Sequence, residues 1–98
     1  MELSEEKLEQ YEGLDEESLG LLKAADLIEK HGHCKYVLRD KQGRFCIWGA
    51  LIFVGVPCFS VEKRLQKYLG RDSITWNNAP ERTAEEVVST LRRVALGG

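Results

Sequence analysis

Apolar residues in this chain recur mostly at helical spacing. Across residues 16–31, Leu19, Leu22, Ala24, Ala25 and Ile28 fall on one side, with Lys23, Asp26, Glu29 and Lys30 on the other. That is the 3.6-residue period of an amphipathic helix. Gly32 then supplies a C-terminal stop. A second such pattern spans about 61–69, with Val61, Leu65, Tyr68 and Leu69 inward and Lys63, Arg64 and Lys67 outward. Ser60 is placed to cap it and Gly70 to close it. A third runs from Thr83 to about Leu96, with Val87, Val88, Leu91, Val94 and Ala95 as its apolar face and Arg92 and Arg93 near its end, where the helix dipole favours cations.

Between the first two patterns the period changes. His33–Leu38 alternates, Asp40-Lys41-Gln42-Gly43 reads as a turn, and Arg44–Trp48 can return as a second strand. The apolar run Cys46–Val56 fits either a strand or a buried helix; a helix from about Trp48, ended by Pro57, is the reading adopted, and Gly49-Ala50 marks a close packing point. Residues 3–12 form a short, weakly apolar helix candidate that Gly13 ends. The predicted fold is mainly α, with α+β as the alternative: a compact domain of four to five helices and at most one small hairpin near 33–48. An acidic arm, residues 1–14, precedes a single globular domain, residues 15–98.

The segment Trp76–Val87 carries the strongest local signal. Thr83 and Glu86 have capping-box spacing, and Pro80 keeps the helix from running back into the polar stretch before it. A Trp in such a stretch is expected to plug into the body, with Ile74 as a second anchor. It would hold Asn77 and Asn78 at a defined place, which makes Trp76, Asn77, Asn78 and Arg82 the candidate binding residues.

Composition narrows the class. An apolar content of 43% over 98 residues suits one folded domain with one modest core. The net charge of −2 hides an asymmetry: residues 1–17 hold eight acids against Lys7 alone, a net of −7, so the rest of the chain carries +5. The net negative balance argues against a dedicated nucleic-acid binder. The apolar run near Phe45–Phe59 is broken by Gly49, Gly55 and Pro57 and falls short of a membrane span. The acidic start is the opposite of a signal peptide, and three cysteines, an odd number, suit a reducing compartment. A cytoplasmic location is expected.

Several stretches together carry a family resemblance: Leu21-Leu22-Lys23-Ala24-Ala25-Asp26-Leu27-Ile28-Glu29-Lys30-His31-Gly32, Cys34, Gly43-Arg44-Phe45-Cys46, Gly49-Ala50-Leu51, Trp76-Asn77, Pro80, and Arg82-Thr83-Ala84-Glu85-Glu86-Val87. Over about residues 19–96 the chain resembles a family of small proteins of unknown function found in actinobacterial genomes and their phages. The resemblance implies a small intracellular, phage-borne or accessory protein and supplies no activity. Family members usually have Trp where His33 stands and Asp where Asn78 stands, so a carboxylate chemistry at that position is closed to this chain.

Three chemistries have candidate residues. His31, His33, Cys34 and Cys46 are zinc-ligand types, but no C-x2-C pair exists, and cysteines in apolar segments behave as small hydrophobes. No metal or other cofactor is expected. A Cys46 nucleophile with His33 as base and Asn77 as orienting group is the enzyme alternative; Phe45 and Ile47 beside Cys46 argue for burial and a raised thiol pKa. Lys35, Arg39, Lys41 and Arg44 on the hairpin, with Lys63, Arg64 and Lys67, could contact phosphates and form the nucleic-acid alternative. The terminal Gly97-Gly98 superficially resembles a ubiquitin-like tail, without the strand-rich pattern such a domain needs. The favoured expectation is a binding accessory protein with a protein partner and no membrane contact, more in keeping with a non-enzyme.

Overall fold

The computed structural model describes residues 13–97. Five helices follow in order: α1 (Glu16–His31), α2 (Ile47–Val54), α3 (Cys58–Leu69), α4 (Ser73–Asn78) and α5 (Ala84–Ala95). The mainly α domain expected from the sequence is the one that forms. The helix expected over residues 3–12 lies outside the described residues.

The long helix α1 is the spine. Asp15 caps it, its carboxylate accepting from the Ser18 N–H at 2.7 Å, and Gly32 leaves it at φ 100°. Leu21, Ala24, Ala25 and Ile28 are wholly buried against α5 and α2. Each fully buried Leu or Ile contributes on the order of 1.5–3 kcal/mol. Asp26, expected on the wet face, is buried as well. Its carboxylate accepts from Arg92 of α5 at 2.8 Å, and Arg92 also pairs with Glu29 at 3.0 Å. Arg92 therefore clamps α5 onto α1 in addition to answering the helix dipole.

Arg64 of α3 donates to the Val94 and Ala95 carbonyls, satisfying the end of α5. The α5 start matches its sequence signal in part. The Thr83 hydroxyl accepts from the Glu86 N–H at 3.1 Å, but the Glu86 carboxylate turns to Arg82 at 2.8 Å, so only one arm of the capping box is made. Thr83→Ala is expected to cost about 1 kcal/mol, read as a lower thermal midpoint with an unchanged circular dichroism spectrum at low temperature.

Four local expectations are corrected. Ser60 caps nothing: α3 begins two residues earlier, at Cys58, after Pro57. Pro57 does not end α2; Gly55 does, in the left-handed conformation at φ 84°. Trp76 and Asn77 sit in a short helix rather than a turn, because Asp72 caps α4 through the Thr75 N–H at 2.8 Å. Tyr68 and Ile74, expected to be inward or anchoring, are exposed.

The hairpin is also reduced. Among the described residues it survives as two isolated bridges, His33 with Phe45 and Arg39 with Phe45. Tyr36 explains this: its φ of 71° takes the chain out of the extended region and ends the first strand. What remains is a bent loop, residues 33–46, tightened where Asp40 accepts from the Gln42 and Arg44 N–H groups. The loop lies directly on α2. A Cβ at Gly49 would collide with the Leu38 carbonyl, so Gly49 is the close packing point the sequence suggested.

Candidate functional site

Asn77 is where the loop, α2 and α4 meet. It is 2% exposed. Its Oδ1 accepts from the Ile47 N–H, the first residue of α2, at 3.1 Å, and lies 2.7 Å from His33 Nε2. Its Nδ2 donates to the Cys34 carbonyl at 3.2 Å and to Asn78 Oδ1 at 3.0 Å. A backbone N–H can only donate and a carbonyl can only accept, so these partners fix the amide orientation. His33 must then donate through Nε2, which defines its tautomer. Two donors and two acceptors are all an Asn side chain offers, and Asn77 uses every one to hold three chain segments together.

Asn78 continues the network. Its Oδ1 accepts from the Tyr36 N–H at 2.9 Å, and its carbonyl accepts from the Tyr36 hydroxyl at 3.4 Å. Tyr36 is pinned at both ends, which is what sustains a bulky residue at positive φ. The Asn78 side chain works here as an acceptor toward both Tyr36 and Asn77. A carboxylate at this position could accept both bonds equally well.

Trp76 is buried, 8% exposed, and the Arg82 guanidinium lies 3.9 Å from its ring centroid. Arg82 also donates to the Trp76 carbonyl at 2.7 Å and pairs with Glu86. Trp76 and Arg82 thus form a plug and its cover. Of the four candidate binding residues, Asn77 and Asn78 line a groove, whereas Trp76 and Arg82 brace the structure behind it.

That groove has a volume of about 560 Å³ and lies between the loop, α2 and α4. Val37, Leu38, Trp48 and Ile74 give it apolar walls; Tyr36 and Arg39 stand on its loop side. Trp48 is oriented from behind. Its indole N–H donates to Glu62 at 3.0 Å and to the Ser73 hydroxyl at 2.9 Å. Glu62 is buried and also accepts from the Ser73 N–H, the Ser73 hydroxyl and Gln66. Burial pushes the Glu62 carboxyl up, but these donors together hold it below the usual carboxylate range. Nothing local signals this network: Glu62 sits beside Lys63 and Arg64 and reads as one more charge on a solvated face.

The residues of the enzyme alternative are only partly brought together. Cys46 and Asn77 share the apolar groove. His33 lines a separate polar crevice with Lys35, Arg44 and Arg82, and its Nε2 is committed to Asn77. The Cys46 sulfur caps α2, accepting from the Gly49 N–H at 3.3 Å, and burial raises its pKa. A raised pKa leaves little thiolate at neutral pH. Burial lowers the His33 pKa, opposed by the Asn77 bond and assisted by Lys35 and Arg82. Folded His33 is thus neutral where the unfolded chain begins to protonate. Stability is expected to be full above the ordinary value of 6.5 and to decline as pH falls below it. Substituting His33 by Gln should flatten that decline in urea titrations between about pH 7 and 5.

The zinc-ligand types are employed separately. His31 packs edge-on against Phe45 at 5.9 Å. The single Cys34 S–H is shared between the Val37 and Arg44 carbonyls, with its sulfur 3.4 and 3.3 Å from them. Among the described residues no three His, Cys, Asp or Glu side chains form a group that could hold a metal. Several basic candidates have structural partners: Lys35 donates to the Pro80 carbonyl, Arg44 pairs with Asp40, and Arg64 holds the end of α5. Arg39 lies over Phe45 and Phe53, while Lys41, Lys63 and Lys67 are exposed. No helix among the described residues is long and apolar enough to cross a membrane.

The model of a family of unknown function, DUF6197, matches residues 18–96. The chain belongs to that family. The match takes in all of α1 but its first two residues, α2 through α5, the loop and every residue of the groove, so the groove lies wholly within the family's domain. No curated protein and no solved structure matches the chain.

Proposed function

We propose that this chain is a protein-interaction module: a small cytoplasmic accessory protein, of the kind carried by phages and other mobile elements, that contacts a protein partner through the groove beside Asn77. The groove itself carries the reading. It is lined by exposed apolar side chains that a monomeric surface rarely gathers in one place, and its floor is braced by fully bonded Asn77 and Glu62. A pre-formed apolar recess of this kind receives a partner's side chains at little ordering cost. The mobile-element character rests on the sequence resemblance alone.

The test uses the full chain as bait in host lysate, compared with Leu38→Asp in the groove and Ser89→Glu on exposed α5. All three should melt alike, since Leu38 and Ser89 are exposed. A partner held by the wild type and by Ser89→Glu, and lost with Leu38→Asp, supports the reading. Capture indifferent to Leu38 overturns it.

A further inference from the structure

We propose that the partner seated on this groove is a second copy of the chain, docked face to face across a two-fold axis; the inference rests on the groove being a protein contact surface. The first support is area. Tyr36 and Leu38 of the loop, Ile52 and Phe53 of α2, Phe59 of α3 and Ile74 of α4 are each between half and four-fifths exposed. At roughly 150–200 Å² per side chain these six offer on the order of 600–700 Å² of apolar surface. A standard interface takes about 800 Å² from each partner, so a polar rim supplies the remainder.

The second support is shape. The residues form one continuous face. Tyr36, Leu38 and Ile74 line the groove with Trp48. Phe59 meets the Trp48 ring edge-on at 6.2 Å, and Phe53 meets Phe45 at 5.4 Å under Arg39. Ile52 is one turn beyond Trp48 on α2. Phe59, 81% exposed, is a knob on the same face as the recess. Knob and recess on one face are what an isologous contact requires, because each copy then gives and receives the same feature.

The third support is charge. Arg39 lies over Phe45, just before the start of α2, with the Phe53 ring beside it. Asp72 stands on the α4 side of the groove and precedes Ser73, whose hydroxyl meets the Trp48 indole. Both are exposed, and among the described residues Arg39 forms no salt bridge with a carboxylate. A two-fold axis that passes midway between the two residues sets Arg39 of each copy toward the partner's Asp72.

Sedimentation equilibrium of the full chain tests this. The wild type should show twice its 11.1 kDa mass. Phe59→Asp, at a surface position, should give the monomer with an unchanged melting profile below the dimer concentration. Asp72→Ser keeps an acceptor to cap α4 and should weaken the dimer about tenfold, as should Arg39→Gln, with the double variant no weaker than either single one. A wild type still monomeric at about 100 μM, where a standard-sized interface would be formed, overturns the self-pairing, as does a dimer indifferent to Phe59→Asp. If a monomeric wild type still captures a host protein through Leu38, the groove reading stands and only the identity of its occupant falls. If that capture ignores Leu38 as well, the groove reading falls with it.

Discussion

Asn77→Ala is expected to destabilise the protein by about 3–5 kcal/mol. The truncation strands the Ile47 N–H and the Cys34 carbonyl, both of which Asn77 now satisfies. Each buried unpaired group costs about 1–3 kcal/mol, and the small void adds to it. The half-buried His33 ring can turn to water, so its loss counts for less. For a domain of this size, 1 kcal/mol moves the thermal midpoint by about 4–8 °C, so the fall should exceed about 12 °C. Asn77→Asp sharpens the test. It keeps the shape and the acceptors but loses both donors and sets a carboxylate oxygen against the Cys34 carbonyl. It should also destabilise strongly, and the added negative charge should raise the His33 pKa. A midpoint within about 4 °C of wild type for Asn77→Ala would mean that water replaces the amide and that the loop is not held by this residue.

Trp76→Ala carries the second large effect, also about 3–5 kcal/mol, through the cavity left in the core. Losing the ring beneath the Arg82 guanidinium adds about 1 kcal/mol. Arg82 would keep its bonds to the residue 76 carbonyl and to Glu86, so α5 should retain its start. Trp76→Phe retains most of the plug and should fall between the two. Fluorescence distinguishes the two tryptophans: the emission lost with Trp76 should be that of a buried ring, bluer than the emission left by Trp48 in the groove wall. A Trp76→Ala protein that melts with wild type would end the plug model.

The two predictions differ in how far the sequence foretold them. Trp76 was legible as a plug because a large aromatic beside a strong helix start has few other uses. Asn77 stands out in the sequence as a candidate binding residue, and its residue type also suits a bridge to backbone groups. Its partners are not legible there: they come from residues 33–34 and 47, some 30–44 positions away, and nothing local encodes such pairings. The same limit hid Glu62. Whether a carboxylate on an amphipathic helix meets water or the Trp48 indole depends on where α2 and α4 dock. Asp26 was misread for that reason too, as Arg92 reaches it from the far end of the chain.

Local periodicity determined the helices. α1 and α5 repeat apolar residues every three to four positions over twelve or more residues, and glycines and capping side chains mark their ends where backbone groups need partners. These are properties of neighbouring residues, so the chain carries them before it folds. Sequence also determined that Gly49 is a contact point, since a glycine in a helix costs stability unless something needs the room. Only the tertiary structure decided the rest. It broke the expected hairpin at Tyr36, because Asn78 offers that residue's backbone a bond no strand partner supplies. It parted His33 from Cys46 by giving both neighbourhoods to Asn77. It left Leu38, Phe59 and Ile74 in the open around one groove, because with the five helices closed on a single small core, no further element remains among the described residues to cover that face.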